Sequence, residues 1–138
     1  MGNWSEQVSS FVSPGVLSVG MYHGADRHAI LQDVMAGTVD ILLASYNTLA
    51  SDYASGHGTA PKKKKAKRDS IFDLEFHRIV LDEAHSVRNS KTRAFKAASL
   101  IKADRKLALT GTPFVNTADG ECRVERRQMM SALDPVAR

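Results

Sequence analysis

In His77-Arg78-Ile79-Val80-Leu81-Asp82-Glu83-Ala84-His85 an apolar run ends directly on two adjacent carboxylates and a histidine. Ile79, Val80 and Leu81 show no polar alternation, which predicts a strand of a parallel sheet covered on both faces. Asp82 and Glu83 then fall at the carboxyl end of that strand, where open α/β sheets place their ligands. There, one carboxylate is suited to holding the water shell of Mg²⁺ and the other to orienting or deprotonating an attacking water. The same pair also suits a plain helix start, because acidic groups complement the helix dipole.

Two features favour the chemistry. The tetrapeptide Asp-Glu-Ala-His arises by chance in a chain this size roughly once in a thousand under uniform residue usage. A second apolar run, Lys106-Leu107-Ala108-Leu109-Thr110-Gly111-Thr112-Pro113, follows after a plausible helix and ends in small hydroxylated residues. The interval fits a βαβ crossover, which sets both strand ends side by side on one sheet edge. Asp82–His85 with Arg88-Asn89, and Leu109–Pro113, resemble motifs II and III of the Swi/Snf-type helicase-like ATPases. The branch most similar is that of the DNA-repair translocases that carry a RING finger. Collinear matches are Asn3-Trp4 with Gln7 just after motif Ia, Tyr22-His23-Gly24, and Asp40 to Leu49 at motif Ib.

The resemblance runs from about residue 3 to about 119 and implies an incomplete RecA-like lobe. Such a lobe is an α/β unit, a mostly parallel sheet flanked by helices, here lacking the phosphate-loop strand. The implied cofactors are ATP and Mg²⁺, and the implied partner is double-stranded DNA. Asp82 would hold Mg²⁺ through water, and Glu83 would orient the water that attacks the γ-phosphate. His85, Thr110, Gly111 and Thr112 would line the nucleotide side, and His85 with Thr110 and Thr112 would couple nucleotide state to DNA, with Ser45 and Tyr46 near the DNA backbone. Arg88 and Asn89 would lock the acidic motif to its neighbours.

Composition sets outer limits. A chain of 138 residues forms one domain at most, with 43% hydrophobic and 25% charged residues, ordinary for a globular protein. No apolar run reaches membrane-spanning length, and no basic-then-apolar leader opens the chain. Cys122 is the single cysteine, which excludes an internal disulfide and points to a reducing compartment. The net charge of +4 is weak evidence for nucleic acid, because most of the excess sits in one cluster.

Along the chain, Trp4, Val8, Phe11 and Val12 have the spacing of one helix face, stopped by Pro14-Gly15. Residues 16–21 read as a strand, Asp26 as the N-cap of a helix through about Met35, and residues 40–45 as the next strand. In a helix from Ser90 to about Ile101, Phe95, Ala98 and Ile101 face the sheet, while Lys91, Arg93, Lys96 and Lys102 face water. Helix and strand alternate throughout, as in a sheet flanked by helices. Residues 51–69 interrupt this order with a Ser, Gly and Ala-rich stretch, then Pro61-Lys62-Lys63-Lys64-Lys65-Ala66-Lys67-Arg68. Such a composition builds no core, so the expectation is a disordered, exposed insertion. The block has the form of a nuclear import signal, which places the chain in the nucleus; a contact to DNA phosphates and a solvated charge run are the other readings.

Beyond Asn116 the resemblance fades, and residues 120–138 are expected to be a poorly ordered tail outside the family pattern. An unspliced intron or a shifted reading frame would give such a tail; a divergent surface helix is the alternative. None of the nine glycines is followed by lysine, so the Gly-Lys-Ser/Thr loop that cradles phosphates is missing. By resemblance, the missing strand would flank the motif III strand. Leu107 to Thr110 should then form an open apolar edge that lowers stability or solubility and invites strand addition.

The sequence thus predicts a fragment of an ATP-dependent DNA translocase of remodelling or repair, inactive alone, with a possible partner supplying the missing half of the cleft. The alternative is a truncated, catalytically inert product or a partner-binding remnant.

Overall fold

The computed structural model describes residues 2–25, 27–57, 70–110, 115–116 and 122–123. Two βαβ units make the body. The first is β1 (Val19–Tyr22), α2 (Ala29–Met35) and β2 (Ile41–Ala44), with β1 and β2 parallel from Val19 opposite Ile41 to Tyr22 opposite Ala44. The second is β3 (Glu75–Leu81), α4 (Arg93–Leu100) and β4 (Lys102–Ala108), parallel from Glu75 opposite Lys102 to Leu81 opposite Ala108. α1 (Gly2–Phe11) precedes the first unit, and α3 (Tyr46–His57) links the two. A two-residue antiparallel pair, β5 (Val115–Asn116) and β6 (Cys122–Arg123), follows. Among the described residues no helix is long and apolar enough to cross a membrane.

The α/β class and its parallel strands flanked by helices are as expected. The strands form separate two-stranded pairs rather than one ladder, yet both pairs share a core. Tyr22 of β1, Leu31 of α2, Leu49 of α3, and Ala97 and Ile101 at α4 are buried together with Ile71 and Phe72. A second cluster of Leu81, Ala84, Val87, Phe95 and Ala98 lies under the acidic turn. Burial of this kind contributes about 25 cal/mol per Å² of apolar surface and is the main source of stability. Gly20 permits the close seat of α2 on β1, since a Cβ there would lie 3.0 Å from side-chain carbons of Ile30 and Val39.

Three expectations change. Residues 51–57 are not part of a disordered insertion: they continue α3. The Ser45 hydroxyl caps its start by accepting from the Thr48 N–H at 3.1 Å. Leu49, Asp52 and Tyr53 then share the i, i+3, i+4 face that meets the core and the β1 tip. The basic block itself, residues 61–68, lies outside the described residues, as do Asp26 and most of the tail. Secondly, β3 is not covered on both faces. Ile79 and Leu81 point into the core, whereas Val80 is 47% exposed, beside Leu107 at 48%. The surface at Val80 and Leu107 is open, and an unbroken apolar run reads identically whether one face or two are covered. Thirdly, the apolar face of α1 meets no core: no residue from Asn3 to Phe11 is buried.

Candidate active site

β3 ends at Leu81, and the chain turns sharply at Asp82 and Glu83 into a single 3-10 turn, Ala84–Val87. Two backbone bonds clamp this turn to the tip of β4: Leu109 N–H donates to the Leu81 carbonyl and Ala84 N–H to the Leu109 carbonyl, both at 2.8 Å. The acidic pair and Thr110 therefore sit at adjoining strand ends, the juxtaposition that the crossover spacing predicts. Ala84 and Val87, almost wholly buried, pin the turn from below.

Glu83 occupies the left-handed region (φ 48°, ψ 49°), alone among the described non-glycine residues in having a positive φ. That conformation costs an L-residue roughly 1–2 kcal/mol, and such strain gathers at functional sites. Its Oε2 lies 3.1 Å from His85 Nδ1, within reach of a ring N–H, and both side chains are exposed. Asp82 accepts three hydrogen bonds. Glu83 N–H donates to Oδ1 at 2.9 Å, the Trp4 indole N–H to Oδ2 at 2.8 Å, and the Tyr46 hydroxyl to the carbonyl at 2.8 Å. Burial first, then the charges of Asp82 and Glu83, push the Tyr46 phenol up to about 12, so it stays a donor at any physiological pH.

No group of three or more His, Cys, Asp or Glu side chains converges among the described residues, which argues against an all-protein cage. Mg²⁺ is ordinarily held by one or two carboxylates together with waters and substrate phosphates. Asp82, exposed at the strand tip with one donor on each oxygen, fits that lesser role. Ser45 is half-buried and engaged in capping α3, with its hydroxyl 2.8 Å from that of Thr48. Asn89 shapes the approach to α4, its side chain accepting from Lys91 N–H at 2.9 Å and its carbonyl from Thr92 N–H at 3.0 Å. Gly111 and Thr112 lie outside the described residues.

At the tips of β1 and β2 lies a second polar cluster that the sequence did not disclose. The wholly buried Tyr22 donates its hydroxyl to Asp52 Oδ2 at 2.6 Å, and Arg27 Nε donates to Asp52 Oδ1 at 3.0 Å. Burial alone would raise the Asp52 carboxyl, but the hydrogen bonds from Arg27 and Tyr22 hold it below its ordinary value. This cluster bolts α3 to β1. The Trp4–Asp82 bond was equally hidden, because Asn3-Trp4 matched a motif position without a role attached to it.

Comparison with known proteins agrees with this geometry. The SNF2-related domain profile matches residues 1–122. The chain is 37% identical over 117 residues to DNA repair protein RAD5 of Cryptococcus neoformans, covering 82% of this chain and 10% of that protein. It is 31% identical over 119 residues to DNA repair protein RAD5A of Arabidopsis thaliana, covering 86% of this chain and 11% of that one. The chain thus spans about a tenth of these curated relatives. Among solved structures, the SWI2/SNF2 ATPase core of Sulfolobus solfataricus, in complex with double-stranded DNA, superposes with a TM-score of 0.64 at 28% identity. The match covers 99% of this chain and 23% of that one. An acidic turn clamped to a second parallel strand tip, on a body that superposes on this core, thus coincides with a profile match over nearly the whole chain: it belongs to the SNF2-related domain family.

Proposed function

We propose that this chain forms the metal-facing and water-facing wall of an ATP-hydrolysing cleft in a DNA translocase of repair or chromatin remodelling. The observation that carries the reading is the strained Asp82-Glu83 turn, clamped by backbone bonds to the β4 tip beside Thr110. ATP·Mg²⁺, when bound, supplies the transferable phosphoryl group and the cation that neutralises its charge. Asp82 would hold the cation through a water. Glu83 orients the attacking water and accepts its proton at a carboxylate oxygen, and His85 steadies that carboxylate through Nδ1. Thr110 stands at the neighbouring strand end, where it would face the nucleotide. Ser45 and Tyr46 start α3 on the same edge, so a change at the acidic turn reaches the proposed DNA side through the Tyr46 hydroxyl.

The 138 residues contain no Gly-Lys pair, so the phosphate cradle comes from other residues, in a longer polypeptide or in a partner. That absence favours a second statement about the polypeptide as given: alone, it hydrolyses no ATP. Purified chain assayed with and without duplex DNA should show no phosphate release above background, and Glu83→Gln should change nothing. DNA-stimulated turnover by the isolated chain would overturn this statement.

The nuclear reading rests on Pro61, Lys62, Lys63, Lys64, Lys65, Lys67 and Arg68, together with DNA repair relatives. Replacing Lys62, Lys63, Lys64 and Lys65 by alanine should abolish nuclear enrichment of a fluorescent fusion. Unchanged enrichment would rule the block out as an import signal.

A further inference from the structure

α1 touches the acidic turn in a way that nothing in its amphipathic pattern demanded. Its helix face is largely bare, with Phe11 86% exposed, yet the Trp4 indole N–H reaches Asp82 Oδ2 at 2.8 Å across 78 positions of sequence. A carboxylate has about four lone-pair directions on its two oxygens, and an indole N–H donates but never accepts. With Trp4 on Oδ2 and Glu83 N–H on Oδ1, the carboxylate is held from both ends, and among the described residues each oxygen accepts one hydrogen bond. A bond from a neutral N–H to an ionised carboxylate is among the stronger hydrogen bonds. It restrains the Asp82 side chain through Oδ2.

We infer that Trp4 is a positioning residue for the metal-bearing carboxylate: its indole N–H aims Asp82, while the Tyr46 hydroxyl and Glu83 N–H fix the backbone and the other oxygen. This rests on the proposed reading of Asp82 as the Mg²⁺ ligand. Residues that orient a metal ligand typically change affinity by 10–100-fold when removed. Trp4 is the only tryptophan in the chain, so its indole N–H gives one unambiguous NMR signal.

The experiment uses the full 138-residue chain with Mn²⁺ alone as the probe, its free concentration followed by electron paramagnetic resonance. In wild type, Mn²⁺ should bind saturably and broaden the Trp4 indole signal. Without metal, Asp82→Asn should shift that signal upfield. Trp4→Phe should weaken Mn²⁺ binding by about 10-fold. Placing 3-benzothienylalanine at position 4, which keeps the bicyclic ring and replaces only the N–H, should weaken it equally. Undiminished Mn²⁺ affinity in both position-4 variants, with binding lost in Asp82→Asn, overturns the role of Trp4 alone. Asp82→Asn binding Mn²⁺ as wild type does, or wild type binding none, overturns the metal reading and this inference with it.

Discussion

Asp52→Ala should lower the stability of the chain by about 3 kcal/mol and its Tm by on the order of 10 °C. The Asp52 side chain is only 8% exposed, and the change removes the acceptor of the buried Tyr22 hydroxyl and of the Arg27 guanidinium, which keeps its bond to the Gly24 carbonyl. Removing one partner of a buried pair is costly because the other keeps its desolvation penalty with nothing to offset it. Tyr22→Phe, which deletes one hydroxyl, should cost about 1 kcal/mol. The sign with pH is fixed as well. The folded carboxyl titrates below its ordinary value, so its contribution is complete above about pH 4 and is lost as pH falls through the lowered pKa. Chemical denaturation of wild type and Asp52→Asn across that range checks both points. The acid-induced loss should be smaller in the variant, and parallel curves would mean that the pair contributes nothing.

Glu83→Gln should have the largest kinetic effect once the cleft is whole. The reference is a chimera in which residues 1–122 replace the matching segment of Cryptococcus neoformans RAD5. On the proposed reading of Glu83 as the group that takes the water's proton, ATP hydrolysis by that chimera should fall about 10²- to 10⁴-fold, the span usual for loss of a general base. Nucleotide and DNA binding should persist, because glutamine keeps the size of the side chain and removes only its charge. Steady-state phosphate release and filter binding on the same preparations separate the two effects. Turnover within a few-fold of the unmutated chimera would remove Glu83 from the chemistry.

Much of this arrangement is readable in residue order, for definite reasons. Ile79 to Leu81 and Leu107 to Leu109 are short β-branched or aliphatic runs separated by one amphipathic helix, and that spacing leaves little choice but a parallel pair with adjoining tips. Phe95, Ala98 and Ile101 repeat at helical period, and the structure buries them. α3 was illegible because its apolar content is thin. Only Tyr46, Leu49 and Tyr53 are large apolar residues at helical spacing, and the sequence runs on into a basic stretch that colours the whole segment as loop. The bare side of β3 was illegible because alternation appears only when the uncovered positions are polar, and Val80 and Leu107 are not. Among the described residues β4 has one strand neighbour, β3. The hold of Trp4 on Asp82 was invisible, since nothing local connects residues so far apart.

The backbone at Glu83 also bears on how this gene can drift. A left-handed position favours glycine by about 1 kcal/mol over any side chain with a Cβ, so a copy released from duty should soon exchange the acid for glycine or asparagine and gain stability in doing so. A glutamate kept in that unfavourable seat across diverging lineages would be the mark of selection for chemistry; its replacement would date the moment at which the cleft fell silent.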